Sequence, residues 1–299
     1  MKGGALLPGL LAALLGLMPV APLAAELSIT DDRGEVVRLP APPQRLISLA
    51  GGLTEMLAAL GVADRLVGRI QGDATVSGVP TVGTHLQPNV EMILALKPDL
   101  VVQGGVAKGL PALARLTAEG VPVALFDPRD FAGVFATLRR LGTLTGREAA
   151  AEALVAELEA RLAKVAQEVA GKPKPRVFFE VRYPNLLGAG RGSLVHDIII
   201  RAGGENVLTH PQKLVPFSLE ALLKLNPEVY LIQRGPMNKS PQDIYTRPNF
   251  QELKAVKERR VLVVEEEMFS RPGPRAVAAV ELLARYLHGA ASTPGEETP

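Results

Sequence analysis

The chain has 299 residues, 47% of them hydrophobic and 21% charged, enough for two ordinary domains or one large one. A formal net charge of +2, with no Lys/Arg block interleaved with aromatics, leaves no nucleic-acid footprint. The absence of cysteine excludes disulfides, thiolate metal sites, a cysteine nucleophile and the lipid-bearing cysteine of a lipoprotein.

Residues 1–25 carry the marks of a secretory signal: Lys2 at a positive start, an apolar run from Ala5 to about Val20, and small residues at Ala24 and Ala25. The alternative is an uncleaved membrane anchor, against which stand the shortness of the run and its interruption by Pro8 and Pro19. Leu23 in place of a small residue leaves the cleavage site open. No later stretch is apolar enough, for long enough, to span a bilayer. The expected product is exported and moves freely in a periplasm.

Residues 27–39 are β-like, with a turn at Asp32, Arg33 and Gly34, and Pro40, Pro42 and Pro43 form a linker. Strands then alternate with helices: strand 45–49, helix 53–60 closed by Gly61, strand 65–68, helix 90–96, strand 100–103, helix 110–119 ended by Gly120, strand 121–126 and helix 131–141. Apolar strands alternating with amphipathic helices predict an α/β fold with a largely parallel sheet. Residues 147–169 are rich in Ala, Glu and Leu, with no Pro and no Gly before Gly171. They predict one continuous helix, roughly 35 Å long at 1.5 Å per residue. Lys172-Pro173-Lys174-Pro175 stops it, and the alternation resumes: strand 176–181, helices 194–202 and 219–225, strands 229–233 and 260–264, and a last helix at 274–287. The expected division is a signal segment (1–25), an N-terminal α/β lobe (26–146), a connecting helix (147–171), a C-terminal α/β lobe (172–289) and a disordered tail (290–299).

The chain also repeats itself. Val90-Glu91-Met92-Ile93-Leu94-Ala95-Leu96-Lys97-Pro98-Asp99-Leu100 returns as Leu219-Glu220-Ala221-Leu222-Leu223-Lys224-Leu225-Asn226-Pro227-Glu228-Val229. Each copy is a helix, a tight Pro-acid turn and a buried strand. Two copies on either side of a central helix predict two similar Rossmann-like α/β lobes joined by one long rigid helix, with a ligand cleft between them.

Several further stretches carry a family resemblance: Arg45-Leu46-Ile47-Ser48-Leu49, Thr54-Glu55, Leu60-Gly61, Val82-Gly83, Gly190-Arg191-Gly192-Ser193, Ala202-Gly203-Gly204-Glu205-Asn206 and Arg271-Pro272-Gly273-Pro274-Arg275. In this order and spacing they resemble the helical-backbone group of ABC substrate-binding proteins, which take up cobalamin, ferric siderophores and haem. The resemblance covers about 45–287. It implies a periplasmic, monomeric protein with no cofactor of its own, whose partners are a metal chelate and the ABC permease dimer of the inner membrane. It also implies that one exposed Glu on each lobe docks into the permease, and the matching positions are Glu91 and Glu220, the same pair that the repeat singles out. Charge pairs at such an interface set register and on-rate. The alternative is that each is simply a first-turn acid favoured by the helix dipole.

Loops at the carboxyl ends of the strands line the cleft of such a fold. Arg69, Arg182, Arg234 and Arg271 each follow an apolar stretch, and an arginine cluster suits an anionic chelate. The alternative is ion pairing with acids such as Asp73 or Glu180. His85 stands where resembling proteins often carry a metal-ligating Tyr or an aromatic residue; it is either a ligand to a chelated metal or a polar loop residue. Tyr183 is a second ligand, a stacking surface or a packing residue, and Met268 and Phe269 are candidates to pack on a macrocycle, one of them in the core instead. The lack of Trp and the 4% aromatic content depart from the aromatic-rich cleft of a cobalamin binder, so a ferric siderophore-type complex leads, with haem and cobalamin behind it. Ser193 or Asp197 is expected to cap a helix, with His196 incidental. His210 and His288 form no metal-spacing cluster. No nucleophile elbow, phosphate loop or zinc-protease motif is present. The expectation is a binding protein and not an enzyme, an exported chelatase or hydrolase on the same fold being the alternative of a different class.

Overall fold

The computed structural model describes residues 26–105 and 111–289, so the expected signal and tail lie outside the described residues. A hairpin of β1 (Leu27–Thr30) and β2 (Val36–Leu39) opens them, pairing Leu27 with Leu39. The first lobe follows as β3 (Leu46–Ser48), α1 (Gly51–Ala59), β4 (Leu66–Arg69), α2 (Val90–Ala95), β5 (Leu100–Gly104), α3 (Pro111–Ala118), β6 (Val123–Phe126) and α4 (Phe131–Thr145). Its sheet runs β4-β3-β5-β6 and is parallel throughout. The expected long helix is α5 (Glu148–Val169).

The second lobe comprises β7 (Arg176–Arg182), β8 (Leu187–Ala189), α6 (Leu194–Arg201), β9 (Glu205–Asn206), β10 (Leu214–Pro216), α7 (Leu219–Leu225), β11 (Val229–Arg234), α8 (Lys254–Lys257), β12 (Val261–Glu265), α9 (Glu266–Phe269) and α10 (Ala276–His288). Its sheet runs β10-β8-β7-β11-β12, with β9 beside β7. β11 is parallel to both its neighbours, whereas β8 turns back antiparallel to β7 and to β10. The short strands β8, β9 and β10 and the single turns α8 and α9 were not expected, because two to four residues hold too little periodicity to register.

The central strands read as near-continuous apolar runs because both faces of each sheet are covered. One face of each sheet packs with α1, α4, α5, α6 and α10 into a core that is continuous through both lobes. The other faces are closed separately, the first by Ile93 of α2 and Leu113 and Leu116 of α3, the second by Leu222 of α7 and Ala255 and Val256 of α8. α5 presents Ala151, Val155, Leu158, Leu162 and Val165 to the core at helical spacing. It packs on α4 from the first lobe and on α10 from the second. Arg139 of α4 donates to Glu152 (2.9 Å), and Arg161 forks onto both oxygens of Glu281 in α10 (2.9 Å each). Among the described residues no helix is long and apolar enough to cross a membrane.

The sequence repeat has a backbone meaning. α2 and α7 are capped alike, Asn89 Oδ1 accepting from the Met92 amide and Ser218 Oγ from the Ala221 amide, both at 3.1 Å. Each helix ends on a left-handed residue before the proline, Lys97 at φ 47° and Asn226 at φ 41°. The acid after the proline then bonds the Arg that opens the lobe's first strand. The Arg45 amide donates to Asp99 Oδ2 (2.9 Å) and the Arg176 amide to Glu228 Oε2 (3.1 Å). In return the Asp99 and Glu228 amides donate to the Arg45 and Arg176 carbonyls, both at 2.8 Å. The Pro-acid turn thus sets the register of the two central strands in each lobe.

Candidate functional site

The segments that follow β3 and β12 bring the two lobes into contact. Gly51 and Gly52, which open α1, meet Arg271 and Pro272 of the opposite lobe; a Cβ on Gly52 would run into the Pro272 carbonyl. The close approach that these glycines permit is therefore lobe to lobe. Glu55, one turn further along α1, accepts the Arg275 amide at the start of α10 (2.6 Å). Burial pushes its carboxyl above the ordinary range, against the pull of Arg275. A second contact mirrors this one. Asp197 of α6 accepts the Phe131 amide at the start of α4 (2.9 Å), steadied by Arg201 (2.9 Å), whose guanidinium lies over the Phe131 ring. Each lobe thus lends a carboxylate to a helix N-terminus of the other. The capping expected of Ser193 or Asp197 within α6 is corrected here: Ser193 donates to the Gly190 carbonyl, and Asp197 serves α4. His196 Nδ1 lies 3.5 Å from the Asn206 amide.

The four strand-end arginines all hold partners within the protein. Arg69 donates to the carbonyls of Val79 (3.1 Å) and Asp73, stapling its own loop. Arg182 donates to the Asn185 carbonyl (3.3 Å), and Arg234 pairs with Glu265 on the neighbouring strand. Arg271 reaches Glu266 and Glu267, both at 3.3 Å. Of Met268 and Phe269, one of which was expected in the core, Phe269 is the core side chain: α9 turns it inward onto Phe179, ring centroids 6.1 Å apart, while Met268 is only partly buried. Tyr183 packs edge-on to Phe250, under the Arg247 guanidinium at 4.1 Å, beside a cavity of about 470 Å³ that Pro184, Leu186 and Phe217 also line.

That guanidinium belongs to a fully buried pair that sequence reasoning missed. Arg247 forks onto both oxygens of Glu180 (2.5 and 3.1 Å) and donates to the Gln242 carbonyl, and the Tyr230 hydroxyl donates to Glu180 at 2.7 Å. Glu180 was expected only as a partner for a strand-end arginine. Arg247 sits in a loop between Thr246 and Pro248 with nothing local to mark it.

His85 is exposed on the first lobe, its carbonyl accepting from Gln103 Nε2 (3.4 Å). Partial burial lowers the imidazole's pKa; Glu266 of the second lobe pulls it upward and Lys213, also of the second lobe, pushes it down. That lowering favours the unprotonated ring, the form that offers a lone pair to a metal. Gln103 Oε1 and Glu266 Oε2 are buried without a partner among the described residues. Lys213, Gln103 and Glu266 carried no sequence signal, since each meets its surroundings only through the long-range fold. Among the described residues, no group of three His, Cys, Asp or Glu side chains is placed to hold a metal ion.

Glu91 and Glu220 occupy the same second position of α2 and α7, in the first turn of each helix. Their side chains are 72% and 79% exposed, held only by surface pairs with Arg115 and Lys224.

Residues 46–268 match a family model described as periplasmic binding protein. A vitamin B12-binding protein of Pectobacterium carotovorum is 27% identical over 266 residues, covering 86% of this chain and 92% of its own. An uncharacterized ABC transporter substrate-binding lipoprotein of Bacillus subtilis is 28% identical over 271 residues, covering 87% of this chain and 85% of its own. Among solved structures, a periplasmic heme-binding protein from Pseudomonas aeruginosa matches with a TM-score of 0.74 at 28% identity, over 84% of this chain and 94% of the other.

Proposed function

The chain belongs to the periplasmic binding protein family, and from that premise we propose that it captures an anionic metal chelate between its lobes and hands it to an ABC permease dimer. Members of this family are substrate-binding transport proteins, and this chain is a substrate-binding protein of an ABC transporter and not an enzyme. The observation that carries the delivery step is the matched pair Glu91 and Glu220. Both acids stand at the same position of equivalent helices, one on each lobe, and both are exposed. Two like charges related by a pseudo-twofold axis suit two identical permease subunits.

The cargo we propose is a ferric siderophore-type complex, bound by a monomer. Most aromatic rings (Phe126, Phe131, Phe178, Phe179, Tyr230, Phe250 and Phe269 among them) are spent in the core, which leaves few to stack on a macrocycle. In this reading Arg69, Arg182, Tyr183, Arg234, Met268 and Arg271 edge the space, and His85 meets the chelate from the first lobe. Haem or cobalamin is the second reading, favoured by the relatives named for those ligands and by the neutral imidazole of His85. The stiffness of α5 keeps lobe closure small, and release follows when the permease spreads the lobes.

The test is a spectroscopic titration of purified protein with haem, cobalamin and ferric siderophores, paired with uptake measurements in cells. One saturable, stoichiometric shift is expected, and Glu91→Ala with Glu220→Ala should leave it unchanged while greatly reducing uptake. Normal uptake by the double variant would remove these acids from docking. A Soret band that His85→Ala leaves unaltered, with haem still bound, would remove His85 as an axial ligand.

A further inference from the structure

The arginines that suggested an anion site in the sequence are engaged: Arg69 and Arg182 by backbone carbonyls, Arg234 and Arg271 by glutamates. Arg129 is likewise held by Asp127 (2.8 and 3.1 Å). Lys213 differs. It leaves the second lobe just before β10, and among the described residues its ammonium makes no hydrogen bond or ion pair. It reaches across to the strand ends of the first lobe. A Cβ on Gly105 would lie 3.7 Å from Lys213 Nζ and 2.8 Å from Asp127 Oδ1. A side chain at Gly105, whose φ is +38°, would press on the Asp127 carboxylate beside the ammonium. Asp127 stands close enough to attract the ammonium but makes no hydrogen bond to it; both Arg129 donors take Asp127 Oδ2, and Oδ1 is the oxygen on the Lys213 side. Burial lowers the Lys213 pKa, an unfavourable setting that an arriving anion would relieve.

The surroundings fit a particular kind of cargo. The charges of Lys213 and Glu266, both of the second lobe, are felt at His85 of the first. The orphaned oxygens Gln103 Oε1 and Glu266 Oε2 wait for donors. An exposed leucine follows each polar residue in the chain, Leu86 after His85 (51% exposed) and Leu214 after Lys213 (39% exposed).

We propose that Lys213 is the cation that reads the cargo's charge, its ammonium donating to a carboxylate-type oxygen on a ligand whose apolar body rests between Leu86 and Leu214. This rests on the reading of the cleft as a chelate site. It moves the anion-recognition role from the arginines to a lysine that crosses between the lobes.

The experiment compares haem with its dimethyl ester, which has the same ring and iron but no free carboxylates, on wild type, Lys213→Met and Lys213→Arg. Wild type is expected to bind haem more tightly than the ester by about ten- to a hundredfold, the range of a charge-assisted hydrogen bond. Lys213→Met should lose that preference by weakening only for haem, and Lys213→Arg should keep most of it. Circular dichroism checks that the variants fold. Equal weakening of Lys213→Met for both ligands, or wild-type affinity for haem, would overturn the assignment of Lys213 while the chelate reading stands. Failure of wild type to prefer haem over its ester, including by binding neither, would overturn the assignment of Lys213, and failure to bind cobalamin and every ferric siderophore as well would overturn the chelate reading with it.

Discussion

The two lobes share a backbone plan but not an interior. Arg45, the cap of Asp99 and the helix carrying Glu91 recur as Arg176, Glu228 and the helix carrying Glu220, down to bond lengths that agree within a few tenths of an ångström. Yet where the first lobe has Leu49 and Val101 the second has Glu180 and Tyr230, closed by Arg247. The first sheet is parallel throughout, whereas the second turns back at β8. The backbone devices that fix strand register tolerate little change, because a slip moves every side chain to the wrong face. The side-chain content of each core is free to diverge as long as volume and polar satisfaction are kept.

The largest effect that would break this comparison lies in the second core. Arg247→Ala is expected to cost about 3–5 kcal/mol in urea unfolding, because it strands the Glu180 carboxylate in a dry interior. Replacing the pair together, Glu180→Leu with Arg247→Met in a Tyr230→Phe background that leaves no orphaned hydroxyl, should restore most of that loss, giving the second lobe the apolar interior of the first. A double variant as unstable as the single one would show that the two interiors are not interchangeable. Next come the crossed carboxylates. Asp197→Ala and Glu55→Ala should each cost about 0.5–2 kcal/mol, the range of a lost helix cap. If one costs this and the other nothing, the mirror relation between the lobes is geometric only.

The smallest effect concerns the seam of α5 with α10. The Arg161 fork holds the Glu281 carboxyl below its ordinary value, with partial burial acting the other way. A depressed carboxylate stabilises the fold above its unfolded pKa, and that contribution fades as pH falls through the folded value. Wild type should therefore lose more Tm than Glu281→Gln between about pH 7 and about pH 3, a range that spans ordinary carboxylate titration. An equal loss would mean that the fork adds nothing to stability.

What could be read from the residues alone was whatever acts locally. The α5 helix announced itself through twenty-odd residues without a breaker, and the repeat through a turn whose proline and acid sit at fixed spacing. Glu91 and Glu220 emerged because the repeat and the family resemblance both point to them. Contacts between distant parts were invisible. Glu55 finds Arg275 across 220 residues, and Arg247 finds Glu180 across 67. Whether Met268 or Phe269 faces the core is decided by α9, a turn of four residues. The strand-end arginines were located by their neighbours, but their partners, which decide what they do, belong to other elements.

Crossed caps bear on how such a molecule is made and inherited. A half standing alone would begin α4 or α10 with a donor that nothing in that half receives. Once each half finishes a helix in the other, neither can be shed, shuffled into another chain or exchanged without leaving its twin incomplete. On the ribosome the lobe made first must wait for residue 275 before its own carboxylate finds the amide it serves.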